Sequence, residues 1–351
     1  MNQRELEFDK TPTFKGREVP FSSLVRGYKV TDTTFSYNEA CPTFMIANIN
    51  PRFDIGYNLS RMEAIVQVAH QLNAEILVFP ELCISGYVWD AEHKTAVEEQ
   101  LKASNNLRPD VKRVLDGIQA SLASGSNRLR MVIFGNVRVD KSHGRTHLHD
   151  STFVITSCAD CNDIFYDKIF LTPLEKLFFQ GGTDERLVLN TPCGKMGVMM
   201  CYDLCFVEMG KMYAFVDEVD VIVTTAAWRM EAVRDYPLLN IKMDNYYHFI
   251  WMLMHSALAA HNQVWSIGAN CVGIFEKTGG RFCGQSGVWS PSGIPLVHAS
   301  EEEEELIVIR NLEVHGHMRH QEIEHFTYSL DFDEVYHKIK DVKPRSVFIE
   351  F

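Results

Sequence analysis

Apolar and polar positions change period twice within the stretch 43–79. Residues 43–49 (TFMIANI) are almost unbroken apolar, residues 59–72 place apolar side chains three and four apart, and residues 75–79 return to an apolar run. A buried strand, an amphipathic helix and a second strand follow from that alternation. The rhythm continues: residues 111–122 predict a helix, and residues 131–137, 151–156 and 164–166 predict strands. Strands at 187–189, 196–200 and 219–225 then surround a helix at 207–216. A long helix is expected over much of 237–261, with strands at 264–269, 287–290 and 306–309. Mixed strand pairs and helices in this order predict an α/β fold, a sandwich with helices outside stacked sheets. No internal repeat is visible.

This pattern occupies residues 41–312, which read as one domain. Residues 1–40 scatter apolar side chains among turn formers and read as an arm or irregular lead-in. Residues 313–351 read as a C-terminal extension with some helix at 331–339. With 351 residues and 46% hydrophobic content, the chain can bury a large core. A formal net charge of −12 opposes attraction to nucleic acid phosphates and to anionic lipid, so the expected partner is a small molecule. The first ten residues are charged and lack the apolar centre of a secretory signal. The greasiest stretch, 249–260, is interrupted by His255 and is too short to span hydrocarbon. Nine irregularly spaced cysteines suit reduced thiols, and hence a cytoplasmic location, better than a disulfide framework.

Against this background three reactive groups stand at the ends of apolar runs. Residues 197–203 (GVMMCYD) end a strand in the thiol of Cys201, residues 78–82 (VFPEL) end another in Glu81, and Lys168 follows a third. Taken singly, each has a bland reading: a surface glutamate, a solvated lysine, a core cysteine. As a set they supply a nucleophile, a base and a cation.

Five blocks carry a resemblance. FPELCISGY around Glu81, DKIFLTPLEKLFFQGG around Lys168 and Glu175, and GKMGVMMCYDLCFVE around Cys201 resemble motifs of the nitrilase superfamily of carbon-nitrogen hydrolases. AHNQVWSIGANCVG and GQSGVWSPSGIPL resemble that family's later strands and turns, so the similarity spans residues 43–312. The resemblance implies an αββα sandwich that pairs into a homodimer or higher homo-oligomer. It also implies a catalytic triad of Glu81, Lys168 and Cys201 with Glu175 as a second glutamate, and neither cofactor nor metal.

The chemistry explains the residue types. A free cysteine titrates near about 8.5, so attack on an amide carbonyl needs a base to take the proton or a field that stabilises the thiolate. Glu81 is the candidate base. Lys168 and the backbone amide of Tyr202 are the candidates for holding the substrate oxygen as it becomes anionic, where loss of one donor costs about 3 kcal/mol or more. Glu81 can return its proton to the departing nitrogen and then activate water against the thioester. Glu175 either orients Lys168 or forms an exposed ion pair with Lys176, worth little. Trp228 is expected on the substrate wall, or else in the core. Tyr87 and Trp89 line the entrance or cover an interface.

Departures from the family pattern bear on the substrate. Many amidase-like members read CYDLRFPE where this chain has CYDLCFVE, so a bidentate arginine grip on a substrate carboxylate is missing from that turn. Tyr202-Asp203 also differs from the Trp-Glu of true nitrilases, which favours amide over nitrile. The expected activity is hydrolysis of a small carboxamide or N-carbamoyl compound through a cysteine thioester, releasing ammonia or an amine. A nitrilase, an amide acyltransferase and a noncatalytic ligand-binding protein are the alternatives. Cys158 and Cys161 have metal or redox spacing without a second such pair. His315, His317 and His320 read as a solvated loop, and the acidic run 301–305 as an exposed turn.

Overall fold

The structure, a computed structural model, describes residues 21–36, 38–87, 92–125, 128–141, 146–157, 164–182, 185–275 and 277–314. Trp89, the Cys158/Cys161 pair, the histidines 315–320 and the helix expected at 331–339 lie outside them.

Two sheets form the centre. In chain order the first takes Phe21–Val25 (β1), Tyr28–Thr34 (β2), Phe44–Asn48 (β3), Ile76–Val78 (β4), Met131–Asp140 (β5), His147–Thr156 (β6) and Phe165–Asp167 (β7). The second begins with Leu187–Thr191 (β8), Gly194–Met200 (β9) and Val221–Ala226 (β10). A small hairpin of Arg234–Tyr236 (β11) and Ile241–Met243 (β12) intervenes before Trp265–Asn270 (β13). Another hairpin, Val272–Ile274 (β14) and Arg281–Cys283 (β15), precedes Gly287–Trp289 (β16) and Pro295–His298 (β17) of the second sheet. Glu305–Arg310 (β18) then returns to the first sheet. The orders are β1-β2-β18-β3-β4-β5-β6-β7 and β17-β16-β13-β10-β9-β8.

Alternate side chains of the first sheet serve two different layers. Phe44, Ile46, Val78 and Ile133 face the second sheet and pack with Val198, Val223 and Ile267. Met45, Ala47, Leu77 and Phe134 point the other way, onto the helices Ile55–Gln71 (α1) and Pro109–Ala123 (α3). Both faces being covered explains why β3, β4 and β10 are buried at every position. Helix Lys94–Ser104 (α2) lies before α3, while Val207–Lys211 (α4) and Tyr246–Asn262 (α5) belong to the second half, where Trp251 of α5 packs over Gly268 of β13 and Leu258 against Gly210 of α4. The result is the expected αββα sandwich.

Local chemistry sets the helix ends. Asp54 caps α1 by accepting from the Tyr57 N–H at 2.9 Å, and Asn73, with φ of 55°, takes the left-handed conformation that ends it. Proline at the first position and Asp110 in the first turn start α3. Among the described residues no helix is long and apolar enough to cross a membrane.

Three expectations need correction. The helix foreseen from residue 237 starts only at Tyr246, because Pro237 offers no N–H and Asn240 turns left-handed at φ 51°, reversing the chain into the β11–β12 hairpin. The apolar spacing that suggested a helix there is instead an exposed cluster, with Leu238 fully exposed. Within the expected irregular lead-in, residues 21–34 form an antiparallel pair whose inner strand β2 runs parallel to β18. The Arg310 side chain reinforces that joint by gripping Asp32. The acidic run is not merely an exposed turn, since Glu305 is buried and accepts from Ser300 N–H at 2.9 Å and from the Thr31 hydroxyl.

Strand direction decides where chemistry can gather. β4 is parallel to β3 and β5, and two antiparallel steps through β6 restore the same direction in β7. In the facing sheet β9, β10 and β13 are parallel to one another. Carboxyl ends of parallel strands are where open α/β sheets present ligand-binding groups. The turn after β4 is possible only because β5 carries Gly135 beneath it: a Cβ there would lie 2.4 Å from the Glu81 Cα and 2.7 Å from the Leu82 nitrogen. Backbone cannot yield as a side-chain tip can, so Gly135→Ala is expected to destabilise the fold by about 1–3 kcal/mol or more, read as a lower urea midpoint at unchanged m-value.

Candidate active site

The turn after β4 delivers Glu81, the segment after β7 delivers Lys168, and the end of β9 delivers Cys201. Glu81 and Lys168 are wholly buried and Cys201 is 6% exposed. The Lys168 Nζ lies 2.6 Å from Glu81 Oε1 and 2.7 Å from Glu175 Oε1. Glu81 keeps its other oxygen on the Ala227 backbone N–H at 2.7 Å, just beyond β10. One carboxylate thus ties β4, β7 and β10 together.

Glu175 is buried, so the exposed pairing with Lys176 does not occur. Its Oε2 accepts from the Thr172 N–H at 2.8 Å, and its Oε1 also accepts from the Tyr87 hydroxyl at 2.9 Å. These bonds fix the carboxylate against Lys168. Burial opposes the ammonium, yet Glu175 and Glu81 outweigh it and hold Lys168 firmly charged, well above the usual lysine range.

Cys201 occupies an unusual backbone state. The strand ends at Met200 in extended geometry, and Cys201 then adopts φ of 44° as the first residue of a short 3₁₀ turn, Cys201–Cys205. A non-glycine residue in this left-handed region is strained and persists only where surroundings impose it. Asp203 is the imposing group. Its Oδ2 accepts from Met200 N–H at 3.1 Å and from the Tyr166 hydroxyl at 2.7 Å, and its Oδ1 accepts from Phe170 N–H at 2.9 Å. The elbow bearing the thiol is thereby latched to the segment bearing Lys168. Burial pushes the Asp203 carboxyl up to about 6, although these donors pull it down.

The thiol itself is held well above its ordinary range, first by burial and next by the Glu81 charge, with Lys168 opposing both. At rest it is protonated. Of the two routes the sequence left open, a field-stabilised thiolate and a base, the electrostatics favour the base.

Cys201 opens onto a cavity of about 610 Å³. Its walls are mainly apolar or aromatic, with Trp228, Tyr202, Tyr246, Ile250 and Met254 prominent. Trp228 is fixed by donation from its Nε1 to the Tyr247 carbonyl at 2.8 Å, and from its backbone N–H to Asn270 Oδ1 at 2.7 Å. Tyr87 reaches the same space, as the first of its two sequence readings had it, while bonding Glu175. Where family relatives place an arginine after the nucleophile, Cys205 lines the wall. Arg229 is the only charged side chain among the described lining residues.

Sequence reading missed Asp150, Asp203 and Gly135. Asp150 lies in β6 with its Oδ2 3.7 Å from Lys168 Nζ. The signal was present: a carboxylate inside the strand-like run HDSTFVIT is rarely buried without a partner. Oxygens of Glu81, Asp150 and Glu175 lie within 4.8 Å of one another, a donor set of the kind that holds a hard cation. The cation among them is the Lys168 ammonium.

Residues 46–313 match the carbon-nitrogen hydrolase family. A probable nitrilase of Schizosaccharomyces pombe is 25% identical over 261 residues, covering 73% of this chain and 82% of that protein. An (R)-stereoselective amidase of a Pseudomonas species is 28% identical over 261 residues, covering 74% and 81%. The solved amidase from Nesterenkonia sp. AN1, in a form bearing acrylamide on its active-site cysteine, superposes with a TM-score of 0.61 at 19% identity, covering 85% of this chain and 98% of that one. That last likeness is one of fold.

Replacing Asp203 by alanine leaves a buried N–H, a part-buried N–H and a buried hydroxyl without their acceptor. Asp203→Ala is expected to cost about 3 kcal/mol or more in a urea titration, since each orphaned group costs about 1–3 kcal/mol.

Proposed function

This chain belongs to the carbon-nitrogen hydrolase family, and from that premise we propose that it is a cysteine amidohydrolase acting on carboxamides with an apolar or aromatic acyl group. The observation that carries the proposal is the buried Lys168 ammonium clasped by Glu81 and Glu175, beside a thiol strained outward into an apolar cavity.

Glu81 takes the Cys201 proton as sulfur attacks the amide carbon. The substrate oxygen, now negative, is met by the Lys168 ammonium and by the Tyr202 N–H, which belongs to the first turn of the 3₁₀ segment where backbone donors have no partner within the helix. Glu81 passes the proton to the departing nitrogen, leaving an acyl-thioester, and then takes a proton from water that attacks it. Glu81 returns that proton to the departing Cys201 sulfur, so the carboxylic acid leaves and base and thiol are regenerated. Glu175, held by Thr172 and Tyr87, keeps Lys168 in place and is not itself consumed.

The cavity supports the substrate class. Trp228, Tyr202, Tyr246 and Ile250 suit a flat or branched apolar group. With Cys205 in place of an arginine, a carbamoyl amino acid would have to be met by Arg229. Hydrolysis of nitriles shares the nucleophile and stays the second reading, supported by relatives named as nitrilases.

The same reading includes a paired assembly. Val207, Val216, Phe249 and Leu253 are exposed large apolar side chains of α4, the turn after it and α5, the kind of surface another copy covers. Leu253→Glu is expected to shift the sedimentation coefficient from dimer to monomer.

Ammonia release from a panel of aliphatic, aromatic and carbamoyl amides, with matching nitriles, tests the activity. Turnover is expected with apolar amides, to vanish in Cys201→Ala, and to fall about 10²–10⁴-fold in Glu81→Gln. Full turnover in the Cys201 variant would end the proposal.

A further inference from the structure

Three carboxyl groups crowd one ammonium. Lys168 Nζ makes hydrogen-bonding contacts to Glu81 and Glu175, but Asp150 Oδ2 stands at 3.7 Å, beyond hydrogen-bonding distance. All four side chains are fully buried. Were every carboxyl ionised, the cluster would carry two uncompensated negative charges in an enclosure without solvent, which is prohibitive. Carboxylates this close do not all ionise; one keeps a proton.

Hydrogen bonding identifies which one. Glu81 receives Lys168 and the Ala227 N–H, while Glu175 receives Lys168, Tyr87 and the Thr172 N–H. Among the described residues no N–H or hydroxyl donor reaches either oxygen of Asp150. As a carboxylate it would be buried with its lone pairs unserved; as an acid it has a ready acceptor in the adjacent Glu81 carboxylate. Burial and the neighbouring Glu81 charge push the Asp150 carboxyl far above the usual range, with Lys168 pulling against them. Position supports the same assignment: the Asp150 carbonyl accepts the Lys168 N–H at 2.9 Å, so the β6 backbone that carries the acid also anchors the lysine.

We propose that Asp150 is a positioning residue that keeps its carboxyl proton throughout turnover and donates it to Glu81, adding a third donor that fixes the base between Lys168 and Ala227. The catalytic sense of this role rests on the hydrolase reading above; the protonation itself does not. Asp150 exchanges no proton with substrate. Its neutrality keeps a further negative charge away from the Cys201 thiol, which Glu81 already makes hard to ionise. A neutral donor of the same shape therefore does the same work.

Two measurements on the full chain test this. In difference infrared spectra at neutral pH without substrate, wild type minus Asp150→Asn is expected to show the carbonyl stretch of a protonated carboxylic acid. The amide of Asp150→Asn donates as the acid does, so its kcat is expected within about threefold of wild type, whereas Asp150→Ala and Asp150→Leu lose about tenfold or more in kcat with KM little changed. Absence of the acid band, or an asparagine variant as impaired as the alanine one, overturns the proposal. Since the spectra need no turnover, failure of the hydrolase reading would leave the protonation result standing, and the two failures are told apart.

Discussion

A buried ammonium is the constraint around which this molecule is arranged. Lys168 cannot stay charged in a dry interior unless carboxylates approach it closely, and those carboxylates come from the turn after β4 and the loop after β7. Glu81, once drawn to Lys168, also holds the Ala227 N–H at the end of β10. The ends of strands from two sheets are thereby pinned at one point. Packing of the apolar layers sets the distance between the sheets, and the ion cluster sets which residues meet across it.

The strained elbow at Cys201 is the second element of this design. A left-handed cysteine is sustained by Asp203, whose three accepted hydrogen bonds reach the strand before the thiol, Tyr166 of β7 and Phe170 beyond Lys168. Thiol and cation are thus located relative to each other by a short, buried polar bridge instead of by long-range packing alone. The cost of one ionisable group inside the core, visible in the carboxyl raised to about 6, is offset by geometric definition at the site.

Much of this was legible in the chain itself. Apolar runs at 43–49 and 196–200 and the periodic stretch at 59–72 announced β3, β9 and α1, because both sheet faces are covered and the strands are mostly apolar. Glu81, Lys168 and Cys201 stood out because reactive groups at strand ends break those runs, and Glu175 stood out through the family resemblance. Asp150 did not, since a carboxylate within a strand looks like an outward-facing residue until the neighbouring strands are known. Asp203 was read only as part of a family motif, although its work is structural. The hairpin at 234–243 was mistaken for helix because its exposed leucines and isoleucine mimic the spacing of a buried face.

One consequence follows from the protonated state of the thiol. Oxidants and stray electrophiles react with sulfur as its anion, and a little-exposed sulfhydryl held well above its ordinary titration range by burial and the Glu81 charge offers them little of it. On the hydrolase reading proposed above, the Cys201 thiol is therefore dormant between turnovers. On that reading its reactivity is conferred by the arrival of a carbonyl that uses Glu81 and Lys168 together, so selectivity against damaging reagents is a by-product of the same charge arrangement that the proposed reaction employs.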